Sequence, residues 1–299
     1  MKSEKLKRGL LVALVWLLIL GLWECAYRVF EWRCYVFPAP SHVFDSLVNL
    51  LGVKTWFGDP VWAVDAAGHS VAFQMNPKWP LHGQGLQVTG SLWNSQLPAA
   101  VGTSVLRLLL GFSISVVLGL FIGLAMFRFK FVDALLGPVF LGLQTLPSVC
   151  WVPLAVLALG INETGILFVT VMGSFFSIAI TLRDGLRLTP TIYRSAGLVF
   201  GAHGIKFYTQ VMLPAGLPAL ASSLRSGFSF AWRSLMGGEL IFVLKQEGVG
   251  HLLAVGREFG DVGQVVGVMF IMVLIGMAAD RFIFAPLEKK VQHRFGLGG

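Results

Sequence analysis

Three ionisable side chains, Arg225, Arg233 and Glu239, interrupt one otherwise apolar stretch of this 299-residue chain, between Ala215 and Leu244. A charge at the centre of a bilayer costs about 2.5–3.5 kcal/mol by insertion scales, so it faces a protein interior or a wet path. Arg233 lies near the middle of the stretch, and two readings stay open for it. Either it lines a path and favours an anionic solute, or it ties its helix to a neighbour by an ion pair or hydrogen bond. Glu239 stands six residues further on; that spacing turns it to a different helix face, so the two are not expected to pair. In another apolar stretch, Pro147 and Pro153 each remove a backbone donor, which is tolerated at membrane depth only where protein or water re-satisfies the freed groups. A kinked, gate-lining helix and a plain packing kink both fit.

The familiar signatures of catalysis are missing. No G-x-x-x-x-G-K-[ST] phosphate loop occurs, nor an H-E-x-x-H zinc motif or a G-x-S-x-G nucleophile turn. The six histidines (His42, His69, His82, His203, His251, His293) are scattered without metal-ligand spacing. Cys25, Cys34 and Cys150 form no C-x-x-C pair; three unpaired apolar thiols are expected, with a Cys25–Cys34 bridge as the alternative. The chain is therefore not expected to be an enzyme, to hold a metal, or to bind ATP itself.

The elements that must position these residues are membrane helices. Hydrophobic residues make up 56% of the chain and charged ones 13%, with a mean hydropathy of +0.76, whereas a soluble domain carries about a quarter charged residues. The net charge of +8 falls in short clusters between apolar runs, which argues for a membrane protein and against nucleic acid as a partner. Spanning takes about 20 apolar residues. Apolar runs over Gly9–Trp23, Leu108–Phe127, Ala134–Asn162, Thr164–Leu182, Ala215–Leu244 and Val262–Ala279 predict about six transmembrane helices in an all-α fold. The first is extended to Arg28 by a Glu24–Arg28 pair one turn apart, and is read as an uncleaved span because no small-residue cleavage site follows it. With the N-terminus inside, fourteen Lys and Arg fall on the inner side and six on the outer, so both ends are expected to be cytoplasmic.

Two segments are not spans. Glu31 to Leu97 is expected outside, with Trp56 to Gln84 an irregular Gly-, Pro- and Asp-containing loop. Arg183 to Leu213 is long for a connector and reads as two short helices around the turn Gly201-Ala202-His203-Gly204, closed by Leu213-Pro214. A structured inner loop of this size suggests a docking site for a soluble partner.

That loop resembles the EAA loop of ABC importer permeases, E-A-A-x3-G-x9-I-x-L-P. Ser195-Ala196-Gly197 precede Gly201, and Val211, Leu213 and Pro214 follow at the family spacing. Ser195 stands where Glu is usual and Gly197 where the second Ala is. Further runs are similar to the nitrate/sulfonate/taurine/bicarbonate branch: Trp23-Glu24, Val36-Phe37-Pro38-Ala39-Pro40-Ser41, Leu106 to Phe112, Gly119 to Gly123, Leu146-Pro147, Trp151-Val152-Pro153-Leu154, Ala231-Trp232-Arg233, Gly238-Glu239-Leu240 and Gly248-Val249-Gly250. An outer insert over Lys54 to Leu86 is longer than the branch pattern leads one to expect.

The resemblance implies a type I ABC importer permease fold (MetI-like). It divides the chain into a tail over 1–8, a first span over 9–28, an outer segment over 29–97, a permease core over 98–287 containing the coupling loop 183–214, and a tail over 288–299. The implied assembly is multi-pass in the bacterial inner membrane, with a second permease copy, two cytoplasmic ATPase subunits that carry ATP and Mg, and a periplasmic binding protein. The coupling residues would be Ser195, Ala196, Gly197, Gly201, Ala202, His203, Val211, Leu213 and Pro214. In this reading Ser195 caps a helix N-terminus, Gly201 avoids a Cβ clash in a tight turn, and Pro214 starts the fifth span. Path or gate residues would be Pro147, Trp151, Arg233 and Glu239. Gly111, Gly119 and Gly123 are expected to let helices approach closely. The rival function is a secondary transporter or channel that works without an ATPase, but no internal repeat supports it.

Overall fold

A computed structural model of the chain describes residues 2–30, 37–51, 53–54, 87–88, 96–242, 244 and 247–294. Cys34 and the insert from position 55 to 86 lie outside the described residues. The chain divides into two compact units, Met1–Val101 with Leu252–Phe270, and Gly102–His251 with Ile271–Gly299.

In the first unit, helix α1 (Lys2–Val29) carries the expected Glu24–Arg28 pair at 2.8 Å. The segment expected outside contains a helix the sequence did not single out, α2 (Pro40–Leu50), and two short strands, β1 (Val53–Lys54) and β2 (Gln87–Val88), paired antiparallel. The Trp-Glu and Pro-x-Pro-Ser runs meet here. Trp23 packs on Phe37 with ring centroids 5.4 Å apart, and the Ser41 N–H and Oγ both donate to Glu24 at 3.3 Å. A carboxylate at the first turn of α2 also suits the helix dipole. On its other side α2 lies against Asp261 and Gly263, with Ser46 Oγ 3.4 Å from the Asp261 carboxylate.

The second unit contains α3 (Gln96–Arg128) from Gly102 onward, α4 (Lys130–Thr145), α5 (Trp151–Leu159) and α6 (Glu163–Arg187). It continues through the short helices α7 (Thr191–Val199), α8 (Gly204–Phe207) and α9 (Leu213–Ala215) to α10 (Leu217–Ile241). Next come the first turn of α11 (Val249–Glu258), the last part of α12 (Val262–Ala279), a wide π turn at Asp280–Phe284, and α13 (Ala285–Arg294). Leu108, Val152, Ile166, Val169, Ala231 and Leu235 form its central buried cluster. The glycines of α3 pack on α6 as expected. A methyl group on Gly119 would sit 2.7 Å from Ile178, and one on Gly123 would sit 2.8 Å from the Ala179 carbonyl oxygen. Between them, Ser174 Oγ donates to Ser115 Oγ at 2.7 Å, keeping these buried hydroxyls satisfied.

Every apolar run coincides with helix, but not always one straight helix. Among the described residues, Gln96–Arg128, Glu163–Arg187 and Val262–Val291 are long and apolar enough to cross a membrane, and a fourth span exists if α4 and the segment Ser148–Leu159 count together. Those two pieces of the expected third span meet at 101°. Helix α10 falls below the same measure because its serines and arginines dilute the apolar residues. The chain is thus a multi-pass helical membrane protein.

Candidate functional site

Arg233 projects from α10 into the open. Its Nε donates to the Ser229 carbonyl one turn back at 3.1 Å, and its guanidinium lies 4.5 Å from the centre of the Phe230 ring. Among the described residues no carboxylate pairs with it, and its hydrogen bond and ring contact both lie within α10. Ser222, Ser226 and Ser229 share its face at i, i+4 and i+7. Ser226 Oγ meets Ser177 Oγ at 3.0 Å, and Ser222 Oγ donates to Glu288 at 3.2 Å. This face of α10 is therefore polar from Ser222 to Arg233.

The break in the third span sits beside this face. Helix α4 ends as Leu146 and Pro147 become extended, and a short 3-10 turn at Ser148–Cys150 leads into α5. Proline lacks the N–H that would continue α4, which accounts for the break at this point. Val149 lies 3.2 Å from the Cβ direction of Gly237, one turn beyond Arg233, and Ser148 lies 3.4 Å from that of Gly173 on α6. Trp151, half-buried, stacks on Phe176 with centroids 6.0 Å apart. Pro147 is exposed. The structure thus brings the break, flanked by Pro147 and Trp151, to within a turn of Arg233.

Glu239 points the other way. Its side chain is 1% exposed and accepts from Ser104 Oγ at 2.7 Å, from Arg107 at 3.0 Å and from the Gly250 N–H at 3.0 Å. Arg107 also holds Glu163, in the first turn of α6, through two hydrogen bonds of 2.5 and 2.7 Å. Sequence reasoning missed Ser104 and Glu163. Arg107 entered it only within a matched run, and its place near the end of an apolar stretch was the one available signal.

The loop from 183 to 214 has the expected helix–turn–helix character. Gly201 ends α7 with φ +79°, while the Ala202 N–H donates to the Gly197 carbonyl and the Gly201 N–H to the Leu198 carbonyl, both at 3.0 Å. This is a Schellman end, which needs a left-handed residue at Gly201. Nothing lies within 4 Å of where its Cβ would be, so the reason for glycine is backbone conformation and not the clash expected from sequence. Gly204 is left-handed too, at φ +61°. His203 Nδ1 lies 3.0 Å from the Gly201 carbonyl oxygen. Gly197 replaces alanine where a methyl would meet Val211 at 2.8 Å. Two further expectations are corrected. Ser195 lies inside α7, whose N-cap is Pro190, and so caps nothing. Pro214 belongs to the short α9, and α10 begins after Gly216 with its own proline, Pro218, in the first turn. Phe200, 88% exposed, and Val199 leave an apolar edge at the end of α7.

Two further ion clusters fasten the second unit. Asp133 of α4 binds Arg183 at 3.0 Å and Arg187 at 2.7 Å, both from α6. Arg225 of α10 grips Asp280 at 2.6 and 2.8 Å and Glu288 of α13 at 2.6 Å. Among the described residues no His, Cys, Asp and Glu grouping could hold a metal ion.

Comparison with known proteins places these features in context. Residues 115–285, more than half of the chain, match the family described as binding-protein-dependent transport system inner membrane component. A Methanocaldococcus jannaschii protein provisionally named as an ABC transporter permease is 29% identical over 198 residues, covering 66% of this chain and 72% of its own. The nitrate import permease of a Synechocystis strain is 27% identical, covering 63% and 67%. The bicarbonate transport system permease of Synechococcus elongatus is 26% identical, covering 60% and 64%.

Proposed function

Because the chain belongs to the family of binding-protein-dependent transport inner membrane components and is an ABC importer permease, we propose that it passes a small anionic solute through a path bordered by the polar face of α10. The observation that carries this reading is Arg233, a cation on a membrane helix with no carboxylate partner among the described residues. An arginine at that depth is costly unless water or an anion meets it. The break at Pro147 supplies the adjoining wall, and Trp151 anchors that wall on α6. Two relatives are named for nitrate and bicarbonate, both small anions, and the sulfonate group of a solute such as taurine, a zwitterion overall, is likewise an oxyanion.

In this reading the solute arrives from a periplasmic binding protein and the energy from two ATPase subunits on separate chains. A second copy of the permease completes the path, the membrane is the bacterial inner membrane, and both chain ends are cytoplasmic. The segment from 183 to 214 meets the ATPase through the exposed edge of α7, with Gly201 and Gly204 setting the angle between its helices.

The test is uptake by proteoliposomes holding the complete transporter. Arg233→Gln should assemble normally and lower anion uptake at least tenfold, whereas unchanged uptake removes Arg233 from the path. Gly201→Val should leave the permease folded but reduce ATPase co-purification and uptake together; retention of both would misplace the coupling contact.

A further inference from the structure

The buried carboxylate of Glu239 has a partner set that a path residue does not need. It accepts from the side chains of Ser104 and Arg107 on α3 and from the Gly250 N–H in the first turn of α11. Ser104 Oγ in turn accepts the N–H of Val249 at 2.9 Å. The opening N–H groups of a helix have no partner within the helix. Here two of them, on Val249 and Gly250, are satisfied by a buried carboxylate and by the hydroxyl bound to it.

The glycines on either side of Val249 are required by the same contact. A methyl group on Gly248 would fall onto the Glu239 carboxylate carbon and both oxygens, and one on Gly250 would lie 2.5 Å from the Glu239 Cβ and 2.9 Å from the Met236 carbonyl oxygen. The Gly-Val-Gly run is therefore the shape that lets backbone approach the carboxylate. The charges also leave a remainder for the backbone to meet. Among the described residues Arg107 is shared between Glu239 and Glu163, two negative charges to one positive, and the first turn of α11 supplies positive dipole to the buried member.

From this geometry we infer that Glu239 is a positioning residue, a latch that seats the start of α11 against α3 and α10, and that it does not contact the solute. It lies six residues beyond Arg233 on α10, so the latch also fixes the end of the helix that carries Arg233. Replacing Glu239 should therefore lower the maximal uptake rate without changing which anion is preferred. Only this uptake consequence rests on the import reading; the seating of α11 does not.

The experiment is hydrogen exchange at Val249 and Gly250 in the full-length chain, together with its thermal midpoint and with uptake by the complete transporter. In Glu239→Ala and in Gly248→Ala, exchange at these two amides should rise at least tenfold, while in Arg233→Gln it should not change. The Gly248→Ala lesion should also be non-additive with Glu239→Ala, because removing the carboxylate removes the collision. The double variant should then melt no lower than the worse single variant. If Glu239→Ala does not fold, Ser104→Ala carries the same test, with faster exchange at Val249 expected. Unchanged exchange in these variants, or additive melting shifts, overturns the latch. A change in anion preference in Glu239→Gln returns Glu239 to the path and also overturns it. Failure of ATP-dependent uptake by the unsubstituted transporter would overturn the import reading and leave the exchange result standing.

Discussion

Arg225 and Arg233 lie about two turns apart on α10, yet their surroundings differ in kind. Arg225 is held by two carboxylates from the segment that follows α12, while Arg233 rests on a carbonyl and a ring of its own helix. Further along, Glu239 is held again, by α3 and the start of α11. The helix has its charges tied to other helices at Arg225 and Glu239; at Arg233 between them it has its packing, but no carboxylate among the described residues. Where partners converge, the charge ties helices together; at Arg233, where no carboxylate is found among the described residues, the charge is the one we propose for the solute.

The comparison can be broken most decisively at the buried end. Arg107→Ala strands the Glu239 carboxylate, and the loss of one partner of a buried pair costs about 3–5 kcal/mol. A denaturant titration of the chain in detergent should show the largest destabilisation here, and a loss below about 1 kcal/mol would mean the site is wetter than its 1% exposure implies. Arg225→Gln should cost about 1 kcal/mol, since that cluster is partly exposed and solvent screens it. Limited proteolysis should then release α13 first; an undisturbed α13 would deny Arg225 its fastening role. Arg233→Gln should shift stability by less than about 0.5 kcal/mol, as expected for an exposed position. A larger loss in the same titration would show a hidden tie and place all three charges in one class.

Much of this arrangement was legible in one dimension. Apolar runs gave the helices, because burial in lipid requires long uninterrupted apolar segments. Gly201 and the Leu213-Pro214 pair marked the connecting loop, because turn chemistry is local. Pro147 announced a break, but the 101° angle depends on what α5 packs against and no local rule supplies it. Ser195 was misread because the start of α7 is set by Thr189-Pro190, with Pro190 as its N-cap. The partners of Glu239 were invisible for a simpler reason: Ser104 is 135 residues away in sequence, and only the folded chain makes them neighbours. Helix α2 escaped notice because it is short and lies in a segment whose polarity spoke only against spanning.

The π turn at Asp280–Phe284 acts as a phase shifter. Asp280 and Glu288 both reach Arg225, although eight positions on a regular α-helix would leave them about 80° apart around the axis. A wide turn absorbs about one extra residue, roughly 100° of rotation, and so brings the two carboxylates back onto one side. The spare residue functions as a spacer whose side chain is secondary to its count. Deleting any one position between Arg281 and Phe284 would restore a regular helix with Asp280 and Glu288 seven residues, about 20°, apart, so both carboxylates should still face Arg225.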